Sequence, residues 1–143
     1  MNDKRRLASL IIWWCEGTKA RRDKRWKNSY IRPIEVTNTD PKLIKLFMDF
    51  VRKDLQIEDI KLKAQIQIHK GDNQEEIEKF WSKISGIPLS QFNKTIVREV
   101  GKKVGKTRGT FKVRIYNQKK FEEMEKLLET ELEEISSGSS SVG

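Results

Sequence analysis

Residues 7–19 read LASLIIWWCEGTK. Between residues 7 and 15 only Ser9 is polar, so apolar side chains fall on every side of a helix. A helix that is hydrophobic all round is buried on all sides. About nine residues fall well short of the ~20 needed to cross a bilayer. In a small protein the remaining way to cover such a rod is a sheet on one side and a second helix, from its own chain or a partner's, on the other. Gly17 suits the position just past a helix end. Glu16 is thereby left at the rim, where the apolar helix meets a basic run.

The whole chain has 143 residues and a formal net charge of +9, with 36% of its residues charged. That length suggests one domain, residues 1–135, with a core large enough to fold without staples. Residues 136–143, SSGSSSVG, read as a flexible Ser/Gly tail of the kind left at a cloning boundary. One cysteine excludes an intramolecular disulfide, and one cysteine with one histidine cannot build a zinc site. No signal peptide and no membrane-length apolar run is visible, so the chain reads as cytoplasmic.

The charge is segregated. Lys19, Arg21, Arg22, Lys24, Arg25, Lys27 and Arg32 stand against Asp23 alone. Lys94, Arg98, Lys102, Lys103, Lys106, Arg108, Lys112 and Arg114 stand against Glu99. The last helix is rich in glutamate instead. One basic face and an acidic back favour a polyanionic partner.

Taken in order, Asp3 caps the first helix, and residues 17–29 read as a strand and a hairpin connection. Residues 30–37 read as a strand near a sheet edge, because Pro33 cannot donate to a ladder. Asp40 before Pro41 starts a helix whose Leu43, Ile44, Leu46, Phe47, Phe50 and Val51 recur at helical spacing. Residues 60–70 alternate strictly: Ile60, Leu62, Ala64, Ile66 and Ile68 face one way, and Lys61, Lys63, Gln65, Gln67 and His69 face the other. Asp72 with Glu75 forms a capping box for a short helix that Gly86 ends. Residues 94–100 and 110–116 read as a hairpin, and residues 118–135 as an amphipathic helix. The expected fold is a layered α+β domain, one mixed or antiparallel sheet with helices on one face.

An acid-glycine pair closing an apolar helix resembles the LAGLIDADG family of homing endonucleases. Glu16 matches the family's metal-binding acid and Cys15 its usual small residue, while Ile11 stands where glycine is preferred and Trp14 where the first aspartate would be. A narrower likeness is to small single-motif prokaryotic members with an EGTK signature. It runs through EGTK at 16–19, TNTDP at 37–41, IHKG at 68–71 and FWSKISGIPLSQFNKT at 80–95. The resemblance implies a homing-endonuclease-like domain of αββαββα type, with a curved, mostly antiparallel sheet. It also implies a homodimer through the 7–15 helix, with Ala8, Ile11, Ile12 and Cys15 at the interface. Mg²⁺ would sit at Glu16 and Gly17, and Glu16 would be the catalytic acid of a site-specific endonuclease.

The residues themselves carry part of that reading. Glutamine can bond adenine bidentately, and lysine can reach guanine or phosphate. A strand face with Lys61, Lys63, Gln65, Gln67 and His69 has the residue types of a base-reading surface, and equally those of a solvated outer face. Glu16 can hold Mg²⁺ with water and phosphate oxygens, or simply pair with the cations that follow it. The expected function is duplex-DNA binding as a homodimer, with Mg²⁺-dependent cleavage if Glu16 is catalytic. The alternatives are a non-catalytic DNA-binding regulator and an RNA-binding module of maturase type.

Overall fold

A computed structural model describes residues 3–17, 21–22, 30–31, 33–99 and 108–141. The fold is α+β. Helix α1 (Asp3–Glu16) is followed by strands β1 (Arg21–Arg22), β2 (Tyr30–Ile31) and β3 (Pro33–Asn38), then helix α2 (Pro41–Asp49). Strand β4 (Lys63–His69), helix α3 (Gln74–Ser85), strands β5 (Ile96–Arg98) and β6 (Thr110–Tyr116) and helix α4 (Gln118–Ser141) complete the order. That order matches the reading of helix, strands, helix, strand, helix, strands, helix. The short β1 and β2 pair with each other, and the main sheet has the order β3-β6-β4-β5. Its β3–β6 and β6–β4 pairings are antiparallel, while β4–β5 is parallel.

One side of this sheet is dry. Ile34 and Val36 of β3, Ala64, Ile66 and Ile68 of β4, and Phe111, Val113 and Ile115 of β6 all lie in the core, against Leu10, Phe47, Trp81, Phe121 and Met124 of the helices. Trp81 stacks on Phe111 at 5.1 Å and donates its indole N–H to the Arg108 carbonyl at 2.6 Å. Asp40 caps α2 as expected, accepting from the Lys42 amide at 2.9 Å. At its far end α2 widens into a π-helical turn over Phe50–Asp54, closed by the Leu55 amide on the Phe50 carbonyl. Phe50 and Val51 thereby still face the core.

Four expectations about the course of the chain need correction. Residues 94–100 and 110–116 form no hairpin: β4 lies between β5 and β6. The chain leaves β4 through α3, and a helical crossover returns the next strand parallel to the one before it. Ile60 is not a strand residue facing the core; it sits in the 3₁₀ turn Asp59–Lys61 and is 70% exposed. The cap of α3 is Asn73, which accepts from the Glu76 amide at 3.2 Å while its own amide reaches the Glu76 carboxylate; the pair is one residue later than Asp72 and Glu75. The last helix runs on to Ser141, beyond residue 135.

Helix α1 packs against β3, α2 and α4. Arg5 donates two hydrogen bonds to Asp54, and Arg6 pairs with Glu131 at 2.6 Å, so both ends of the core layer grip the start of the rod. Its other end is fixed by Gly17. A Cβ there would meet the Trp13 carbonyl at 2.3 Å and the Glu35 carbonyl at 2.9 Å. The glycine is required first by the last turn of α1, whose Trp13 carbonyl and ring lie closest, and then by the approach to strand β3, where Gly17 bridges Val36. Full burial of α1 is not what the fold gives. Leu10 and Trp13 are buried, whereas Ile11 is 37% and Trp14 43% exposed, and Cys15 is exposed.

Candidate nucleic-acid interface

The other side of the sheet is wet because strand side chains alternate. On β4, Lys63 is exposed, and Gln65, Gln67 and His69 are half-buried between their neighbours. On β6, Thr110, Lys112 and Arg114 are half-buried and Tyr116 is exposed. Register joins them into rows: Lys63 lies opposite Arg114, Gln65 opposite Lys112, and Gln67 opposite Thr110. Strand β3 extends two rows with Glu35 opposite Arg114 and Thr37 opposite Lys112. Strand β5 adds Ile96 beside Gln67 and Arg98 beside His69. A shallow depression of about 150 Å³ lies in this face, lined by Thr37, Gln65, Gln67, Ile96, Thr110 and Lys112 among others.

The electrostatics are not uniformly positive. Glu35 is only 3% exposed and holds two of the cations, Arg114 at 2.8 Å and Lys112 at 3.3 Å. The bond from Arg114 to Glu35 raises the guanidinium pKa, so Arg114 stays charged at any working pH. Arg114 also donates to the Tyr116 hydroxyl at 3.4 Å. Removing one partner of such a pair leaves a charge without its counterpart in a partly dry site, which is the expensive change. Glu35 therefore positions Arg114 on the face.

Other polar groups are also committed. Gln65 donates its amide to the Lys94 carbonyl at 2.8 Å, tying β4 to the segment before β5. The backbone amide of His69 donates to Asp72 at 2.9 Å, and the imidazole Nδ1 lies 3.9 Å from the same carboxylate.

The structure thus brings together Lys63, Gln65, Gln67, His69, Arg98, Lys112 and Arg114 from the expected set. Lys61 is exposed in the turn before β4, off the strand. Lys94 is exposed beside β5. Arg108 is drawn toward α3, its guanidinium 4.2 Å above the Phe80 ring. Of Arg21 and Arg22 the backbone alone is described, paired with Ile31 and Tyr30. Lys19, Lys24, Arg25, Lys27, Arg32, Lys102, Lys103 and Lys106 lie outside the described residues. Glu35, Thr37, Ile96 and Tyr116 were missed in reading the sequence. The alternation in Ile34-Glu35-Val36 was the available signal for Glu35, because it sets that carboxylate on the side away from the core.

Glu16 is exposed at the last position of α1. Among the described residues no group of three or more His, Cys, Asp or Glu is placed to hold a metal ion. Glu16 is the carboxylate that the sequence reading assigns to Mg²⁺, and among the described residues no such cluster surrounds it. Among the described residues, no helix is long and apolar enough to cross a membrane.

Comparison with protein-family models, with curated proteins and with solved structures finds no match to this chain.

Proposed function

We propose that this chain binds duplex DNA through the open face of its main sheet, as a homodimer of the homing-endonuclease type. The observation that carries the reading is that face: cations and glutamines from β4, β5 and β6 share one surface left open to solvent. Lysine and arginine neutralise phosphates, and glutamine side chains read base edges from the major groove. The net charge of +9 acts in the same direction. Dimerisation is supported by the outward stripe of α1, where Ala8, Ile11 and Cys15 recur at helical spacing and Ile11 and Cys15 are exposed; Ile12, expected there too, packs against the chain's own core instead.

Each neutralised phosphate releases counterions and adds about −0.9 to the log–log salt slope on B-DNA. Fluorescence anisotropy with a labelled duplex, titrated from low to moderate salt, should give a slope of about −4 or steeper. An unlabelled RNA of the same sequence should compete poorly. A flat titration, or preferential binding of RNA, would sink the reading.

Cleavage is the further step, and it needs two copies. Pairing along α1 would bring two Glu16 carboxylates to a shared site; these would hold a divalent metal, which would supply polarisation of phosphate and activation of water. The second reading is a DNA-binding regulator that does not cut; among the described residues Glu16 stands in no cluster of metal-ligating side chains. Incubating a plasmid library with Mg²⁺ or with EDTA separates the two. Cleavage that persists in Glu16→Gln would remove Glu16 from any catalytic role.

A further inference from the structure

Gln67 and Ile96 are Cα partners in the parallel pairing of β4 with β5, and both line the depression in the open face. Adjacent strands lie about 4.8 Å apart, so the two side chains project side by side. Ile96 is 38% exposed, a large apolar side chain set among glutamines, threonines and a lysine. The two glutamines of β4 differ in what they have already spent. Gln65 gives an amide N–H to the Lys94 carbonyl. The Gln67 side chain has no hydrogen-bond partner among the described residues, so it offers a complete donor and acceptor pair.

Those two chemistries, an unspent carboxamide and an adjacent apolar branch, match one base pair. In the major groove adenine presents its N7 acceptor and N6 amino donor, and its thymine presents a C5 methyl on the same edge. Guanine presents two acceptors, N7 and O6, and its cytosine has no methyl. Resting on the proposed binding of duplex DNA by this face, we infer that Gln67 and Ile96 together read a single A·T pair. The Gln67 amide donates to N7 while its carbonyl accepts from N6, and Ile96 packs on the thymine methyl. Lys112, at the same depression but paired with Glu35, adds positive charge whatever the base.

Three duplexes of equal length test this: alternating A·T, the same duplex with uracil in place of thymine, and alternating inosine·cytosine. Uracil removes only the methyl. Inosine·cytosine has the major-groove pattern of G·C without the minor-groove amino group, so it separates base reading from groove shape. The expected order is A·T tightest, A·U weaker by about threefold, and inosine·cytosine weaker by about tenfold or more. Gln67→Ala should cut the preference for A·T over inosine·cytosine to the about threefold that the thymine methyl supplies through Ile96. Ile96→Ser should abolish the preference for thymine over uracil and keep the preference for A·U over inosine·cytosine. Equal affinity for all three duplexes, or variants that keep the wild-type ratios, would overturn this assignment while leaving DNA binding intact. Failure to bind any duplex would instead overturn the DNA-binding reading on which it rests.

Discussion

The two sides of helix α1 have similar composition and different fates. Toward its own chain, Leu10 is fully buried and Trp13 meets Phe121 edge-on at 5.3 Å. On the other side, Ile11 and Trp14 keep more than a third of their surface in water. Helix α4 makes the contrast plain. Its Phe121, Met124 and Leu128 are buried while Glu122, Glu125 and Glu129 are exposed, as in an ordinary amphipathic helix. Transfer from water favours burying each apolar side chain of α1, but the described residues cover only one side. The remaining stripe asks for another surface, and a second copy is the one we propose.

The largest expected effect breaks the inward side. Leu10→Ala should lower the unfolding free energy by about 2–5 kcal/mol, because it loses burial and leaves a cavity. Ile11→Ala, one residue on, should stay within about 0.5 kcal/mol for the monomer. Urea denaturation of both proteins measures the difference; equal losses would erase the distinction between the two sides.

Next comes the end of the rod. Gly17→Ala puts a methyl 2.3 Å from the Trp13 carbonyl and 2.9 Å from the Glu35 carbonyl. The last turn of α1 and its seat on β3 must both shift, at a cost of about 1–3 kcal/mol. A variant as stable as the parent would show that the helix end does not press on β3.

The outward stripe is tested by self-association. If two copies pair along it, mild oxidation should cross-link them through Cys15, and Cys15→Ser should prevent the cross-link. Ile11→Lys should shift sedimentation toward the monomer and leave the far-ultraviolet circular dichroism spectrum of the folded chain unchanged. A parent protein that stays monomeric at high concentration would leave the stripe without this partner.

The smallest effect concerns pH, and the same contrast of covered and open surfaces applies to the sheet. Arg114 has a raised pKa in the folded state because of its bond to Glu35. A raised value contributes stability that is fully present below the unfolded-state pKa and lost only as pH rises through the folded one. That window lies far above neutrality. The stability difference between the parent and Arg114→Gln should therefore be constant across the neutral range. A difference that changed steeply there would implicate another titrating group.

Much of the layout was legible from short-range chemistry. The alternation in KAQIQIH of β4 assigns Ala64, Ile66 and Ile68 to one face and the glutamines to the other, whatever the rest of the chain does. Asp40 before Pro41 and Gly86 before Pro88 fixed helix ends by local backbone rules. The failed expectations were all matters of pairing or range. Ile60 continues the alternation in sequence, but the 3₁₀ turn takes it out of the strand. Nothing local distinguishes a β5–β6 hairpin from a parallel β4–β5 pair, since that depends on where α3 lands. The candidate face was legible as residue types on β4, and not as a surface.

The sequence by itself determined which face of β4 and of α4 avoids water, which residues carry positive charge and where α2 begins, because these follow from side-chain chemistry and neighbours a few positions away. Only the tertiary structure decided that β6 lies between β3 and β4, that Glu35 faces Arg114 and Lys112, and that Gln67 stands beside Ile96. Those contacts join residues far apart along the chain, and they are set by how helices and strands pack together. The same packing covers one side of α1 and leaves the other open.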